Sequence, residues 1–230
     1  MSAGRSNRTL SQSTSSAHAG LLSLPIELRN DIYRQVLAVP HPLFLFQDSG
    51  CPIESFAPER PNQWLALLYT NRQISEEAKA VLYSSNKFAL EEATKRQGSL
   101  LKSFLDCIGS VNANSLSYLQ MNFPATERAD GQMGEIKLRE DGMQTLRLLQ
   151  EQCTNLKTLE TLIHGPNCSL ITDKEIDIRT LRDALQDIDT QLRAIGSLDR
   201  IIVRFSSGSP APPTTEFMQE LGWIVVQRNR

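Results

Sequence analysis

Leu156-Lys157-Thr158-Leu159-Glu160-Thr161-Leu162-Ile163 is a short, mainly apolar segment closed by the polar run His164-Gly165-Pro166-Asn167. A run of that length with turn residues behind it reads as a β-strand. On its N-terminal side lies a helical pattern near Gly142–Cys153. Before that come a strand candidate at Leu116–Phe123, a helix near Ser99–Gly109 and a strand at Lys87–Leu90. On its C-terminal side a helix near Lys174–Ile195 leads to a strand at Leu198–Phe205. A helix near Thr215–Leu221 and a strand at Trp223–Gln227 end the series. Strands alternating with helices favour a parallel sheet with helices packed over it. Two stretches, Pro124–Gly134 and Ser206–Pro213, read as polar, flexible loops.

Upstream of Lys87 the chain reads differently. Residues 21–37 form one amphipathic helical pattern, with Pro25 suited to the first helical position and Glu27 complementing the helix dipole. Leu28, Ile32, Tyr33, Val36 and Leu37 recur at helical spacing, and Pro40 and Pro42 stop the helix near Val39. A Pro-rich connection spans 40–62; its patch Leu43-Phe44-Leu45-Phe46 fits either a short strand or packing under a loop. A second helical block begins near Gln63. Within it Thr70-Asn71-Arg72-Gln73 fits a capping box, Arg72 and Glu76 are spaced to pair, and Ser84-Ser85-Asn86 is a stop signal in which Asn86 suits the left-handed conformation. The organisation expected is a Ser-rich disordered tail (1–20), a helical module (21–90) and a β/α recognition domain (91–230). The fold class is α+β or α/β. Strand spacing is uneven, about 20 to 45 residues, so a leucine-rich-repeat-like curved sheet and a flat open parallel sheet both remain open.

Composition narrows the function. The net charge of −2 gives no electrostatic reason to expect nucleic acid or a membrane surface as partner. Cys51, Cys107, Cys153 and Cys168 contain no close pair, which fits reduced thiols and a cytoplasmic or nuclear location better than a disulfide framework. No apolar run reaches the length of a bilayer span. The tail carries Arg5 and Arg8 and no acid, as a transit peptide does, but it lacks the apolar face of one.

Chemistry is sparse. The histidines are His18, His41 and His164, so histidine catalysis would rest on His164, where a hydrolase would also need a nucleophile and a carboxylate. No nucleophile elbow or phosphate-binding glycine motif is present. Cys153, His164 and Cys168 make an incomplete zinc set. Asp183, Asp187 and Asp189 lie on a helix pattern and read as solvated surface. No catalytic residue, cofactor or metal is expected.

Two segments stand out together. Leu22-Ser23-Leu24-Pro25-Ile26-Glu27-Leu28-Arg29-Asn30-Asp31-Ile32-Tyr33 resembles the opening of an F-box. The block from Leu67 to Phe88, with Thr70, Arg72-Gln73-Ile74, Glu77-Ala78, Tyr83, Asn86 and Phe88, completes a pattern similar to the F-box-like proteins of filamentous fungi. The resemblance covers roughly residues 21 to 90. It implies a non-enzymatic adaptor whose Leu24, Pro25, Leu28 and Ile32 dock onto the linker subunit of a cullin-type ubiquitin ligase, while the β/α remainder captures a substrate protein. The departure is the Pro-rich insertion, where an F-box has a short turn. The alternative is a protein-binding scaffold without ligase docking, in which Leu28, Ile32, Val36 and Leu37 pack against Ile74, Ala78 and Leu82 in one core.

Overall fold

The structure, a computed structural model, describes residues 20–59, 61–92, 94–128, 136–164, 177–206 and 210–227. Helix α1 (Ile26–Leu37) follows a 3-10 turn at Leu21–Ser23. Strands β1 (Leu43–Phe46) and β2 (Glu54–Phe56) come next, then a 3-10 turn at Ala66–Tyr69, helix α2 (Arg72–Ser85) and strand β3 (Phe88–Leu90). Helices α3 (Thr94–Ile108) and α4 (Ser110–Ala113) lead to β4 (Tyr118–Asn122), and a hairpin of β5 (Thr126–Arg128) and β6 (Ile136–Leu138) precedes α5 (Glu140–Gln152). The chain then alternates: β7 (Thr158–Ile163), α6 (Ile178–Arg193), β8 (Arg200–Phe205), α7 (Pro212–Glu220) and β9 (Ile224–Gln227).

The main sheet has the order β2-β1-β3-β4-β7-β8-β9. Only β2 is antiparallel to its neighbour; every other pair is parallel. Among the parallel strands β1, β3, β4, β7, β8 and β9, each lies beside the one before it in that series, and parallel crossovers are right-handed, so the connecting helices gather on one face. Burial agrees. The row Phe88, Leu119, Leu159 and Ile201 is buried, as is Met121, Thr161 and Val203. On the other face Tyr118, Gln120, Asn122, Leu162 and Ile202 are only half-buried. Parallel sheets are normally covered on both faces; here the side-chain period of two separates a packed face from a half-open one. Aromatic rings tie helices to the packed face, Tyr83 stacking on Phe88 at 5.6 Å and Phe88 meeting Phe104 at 5.4 Å.

The strand and helix series expected between Lys87 and Gln227 is present, with ends displaced by a few residues. Leu43–Phe46 is a strand, paired on both sides, because its alternate residues Leu43 and Leu45 join the buried rows. The helical segment 21–90 and the remainder 91–230 therefore share one sheet and one core.

Local expectations at the helix ends needed revision. Residues 21–37 are not one helix: proline disfavours helical geometry in the residue before it, so Leu24 is extended (φ −78°, ψ 150°) and Pro25 becomes the N-cap. The Thr70–Gln73 capping box does not form. The Thr70 hydroxyl donates to the Leu67 carbonyl at the end of the 3-10 turn, and Asn71 caps α2 by accepting from the Ile74 N–H at 3.0 Å. Arg72 and Glu76 do pair, at 2.9 Å. Asn86 is extended, φ −103°. The segment Pro124–Gly134 is no plain loop in its described part: Pro124 and Ala125 are buried and Thr126–Arg128 pairs with a strand whose Ile136 and Leu138 are buried. The tail (1–19), His18, Cys168, Gly165–Asn167 and the start of the Lys174–Ile195 helix lie outside the described residues. Among the described residues no helix is long and apolar enough to cross a membrane.

Candidate functional site

Helix α1 carries two parallel files of side chains, about 100° apart around its axis. Arg29, Tyr33 and Leu37, spaced i, i+4, i+8, face α2 and are 8%, 0% and 0% exposed. The Arg29 guanidinium donates from Nε and Nη2 to the two carboxylate oxygens of Glu77, at 2.8 and 2.6 Å, and from Nη1 to the Leu24 carbonyl at 2.5 Å. Tyr33 donates its hydroxyl to Glu77 at 2.9 Å, and Gln73 donates its amide to the same carboxylate at 2.9 Å. Four donors on one carboxylate, led by Arg29, hold Glu77 down at about 2. Burial, then the neighbouring Glu77, push the Tyr33 hydroxyl up.

The exits of both helices meet at Asn86, which is 1% exposed. Its Nδ2 donates to the carbonyls of Leu37 (3.0 Å) and Leu82 (2.9 Å), and its Oδ1 accepts from the Val39 N–H at 2.8 Å. One amide thus satisfies three backbone groups freed where α1 and α2 end.

The second file is Leu28, Ile32 and Val36. Leu28 is 50% exposed, Val36 42%, and Ile32 half-buried. At the entrance to the helix Pro25 is exposed, Leu24 half-buried, and Leu22 and Ile26 are exposed as well. The four residues singled out for docking, Leu24, Pro25, Leu28 and Ile32, thus retain accessible surface along the first turns of α1. The one-core alternative is met only by Leu37, which is buried with Ile74, Ala78 and Leu82; Leu28 and Val36 stay outside. The 29/33/37 file faces inward, with Tyr33 and Leu37 fully buried and Arg29 bonded to Glu77 of α2. Arg29 and Glu77 escaped the reading of the apolar pattern. The available signal was a cation in file with Tyr33 and Leu37 and an acid among Ile74, Ala78 and Val81, each a charge on a buried helix face.

On the half-open face of the sheet, Glu160 (4% exposed) accepts from the Tyr118 hydroxyl and, at 2.6 Å, from Arg204 Nε. Burial foremost, with the Glu160 carboxylate next, pushes the Tyr118 hydroxyl well up. All three residues carry structural partners, so the cluster is a cross-strand tie between β4, β7 and β8.

His164 is exposed at the end of β7, and Ser206 at the end of β8 brings its Oγ to 2.7 Å from His164 Nδ1. The Ser206 hydroxyl also lies 2.9 Å from the Ile163 carbonyl, so its single proton is shared between two acceptors. Cys153 is fully buried and its thiol is pushed up to about 12 by burial, the reverse of a metal-binding thiolate. Among the described residues no group of three His, Cys, Asp or Glu is placed to hold a metal ion. Asp183 and Asp187 are exposed, whereas Asp189 accepts from Arg193 and from Trp223 Nε1 at 2.7 Å, tying α6 to the start of β9.

No family model, curated protein or solved structure matches this chain.

Proposed function

We propose that the protein is a non-enzymatic F-box-like adaptor. The Leu24-Pro25 entrance and the Leu28/Ile32/Val36 file of α1 dock onto the linker subunit of a cullin-type ubiquitin ligase, and the sheet-bearing remainder captures a substrate protein. The observation that carries this reading is the exposed aliphatic file, which runs beside a core file on the same helix. An exposed aliphatic side chain forgoes about 1.5–3 kcal/mol of burial. A contiguous set of them, held on a helix pinned by Arg29 and Glu77, is a preorganised docking edge.

A second reading has its own observation. Arg29, Tyr33, Glu77, Asn86 and Phe88, five positions of the quoted pattern, all point into the fold. In that version the pattern is scaffold and the chain is a protein-binding domain without a ligase.

Capture of the purified linker subunit separates the two. Because Leu28 and Val36 are exposed, Leu28→Glu/Val36→Glu leaves the melting temperature within about 2 °C of wild type. On the adaptor reading it weakens capture at least about tenfold, as the loss of two apolar contacts and the desolvation of two charges demands. Absence of binding by the wild-type protein, or equal binding by the variant, leaves the scaffold reading.

A further inference from the structure

The connection that enters α2 is wound into consecutive tight turns. The Trp64 N–H donates to the Pro61 carbonyl at 3.3 Å and the Ala66 N–H to the Gln63 carbonyl at 2.8 Å, and the 3-10 turn then carries the chain to Tyr69. Gln63 is held at φ 57°, in the left-handed region that residues with side chains seldom adopt. These turns border a cavity of about 560 Å³, inside the range of roughly 300–1,000 Å³ usual for ligand sites. Its walls include Pro61, Asn62, Gln63, Trp64 and Tyr69, and none of the residues lining it is charged. Tyr69 is 84% exposed. Trp64 is only 7% exposed, yet its indole N–H has no acceptor among the described residues, whereas the indole of Trp223 donates to Asp189 at 2.7 Å. A largely buried indole N–H normally has a partner. The Trp64 nitrogen is not sealed from solvent, so an incoming acceptor can reach it.

We infer that this cavity binds a proline-rich segment of a partner protein in the polyproline II conformation, with a proline ring against Tyr69 and a backbone carbonyl accepting from the Trp64 indole. The chemistry of the walls selects that ligand. An uncharged lining disfavours nucleotides, phosphates and acidic or basic peptides, whose charges would go unanswered. A polyproline II segment makes no internal hydrogen bonds, so its carbonyls are free to accept, and each proline removes an N–H that would otherwise need an acceptor. Trp64 supplies one donor, and the amides of Asn62 and Gln63 stand beside it on the same wall. Rings line the grooves in which such segments dock, and the conformation costs little entropy because it is already formed. A sugar ring could stack on Tyr69 too, but its many hydroxyl groups call for more acceptors than two side-chain amides supply. The cavity shares no residue with the α1 docking edge, and the inference does not depend on that edge.

The test uses the full chain and fluorescein-labelled peptides of about nine residues, three turns of polyproline II. One is an Ala/Pro sequence with prolines at i and i+3, which share a face, and the other has every proline replaced by alanine. The proline peptide binds about tenfold or more tightly than the alanine peptide, and its affinity changes little as salt is raised, because no charge is paired. Tyr69→Ala lowers that binding about tenfold or more while its Tm stays within about 2 °C of wild type, since the side chain is exposed. Trp64→Phe keeps a ring and removes the donor, and lowers binding about fivefold. Should Trp64→Phe not fold, Tyr69→Ala decides the matter alone. Equal binding of the alanine peptide, unchanged affinity in Tyr69→Ala, no binding of the proline peptide, or tighter binding of a malto-oligosaccharide would each overturn the inference.

Discussion

Asn86→Ala lowers the stability of the protein by about 3 kcal/mol, because buried backbone groups left without a partner cost roughly 1–3 kcal/mol each and relaxation recovers part of the sum. For a chain of this size that is a fall in Tm of about 6–12 °C. The size of the effect comes from position. The side chain bonds Leu37 O, Leu82 O and Val39 N–H at once, with 1% exposure. Asn71→Ala is the control: it removes one N-cap bond on an exposed residue and costs about 1 kcal/mol. Thermal melts of the two variants with the wild type test the ranking. Equal losses would mean that the junction of the two helices is not where their orientation is secured.

Glu77→Gln lowers Tm at neutral pH by roughly 5–10 °C, since it leaves the Arg29 guanidinium 8% exposed without its counter-charge. It also changes the shape of the acid limb. In the wild type the carboxyl is held at about 2, led by the Arg29 hydrogen bonds, against 4.5 when unperturbed. A lowered carboxylate contributes stability that is fully present above its unfolded value and is lost as pH falls through its folded one. The wild-type Tm therefore drops between about pH 5 and pH 2 from this group, and the Gln variant lacks that component, so the two curves converge toward pH 2. Glu76→Gln, removing an exposed i,i+4 partner of Arg72, leaves the curve near that of wild type. Parallel curves for wild type and Glu77→Gln across this window would show that the carboxylate is not tied to the fold in solution.

Much of the fold was legible because its signals are local. Leu116–Phe123, Leu156–Ile163 and Leu198–Phe205 are short apolar runs between polar turns, and each contains a strand of the sheet. The helix ends were less so, since neighbours compete for the same groups: Thr70 turned to Leu67, and Asn71 took the cap. The hairpin at Thr126–Arg128 was missed because Thr-Glu-Arg has no apolar signature, and its partner Ile136-Lys137-Leu138 supplies the buried side chains. Of the docking set, Leu24, Pro25, Leu28 and Ile32 were named from the helical pattern and the resemblance. Neither indicated which way the helix would be turned.

Residue order alone determined the α/β alternation, the two helices flanking the Pro-rich segment and the absence of common catalytic motifs, since spacing and turn chemistry act over a few residues. Tertiary structure decided that the parallel strands β1, β3, β4, β7, β8 and β9 lie side by side in that order, that one sheet face is left half-open, and that α1 turns Arg29, Tyr33 and Leu37 inward. Those outcomes depend on pairings between residues distant in the chain, from Ile202 with Ile224 to Arg29 with Glu77. An amphipathic period specifies that a helix has an apolar side. Of two adjacent files on α1, the one that carries Tyr33, Leu37 and the Arg29–Glu77 pair is packed against α2, and the other stays exposed.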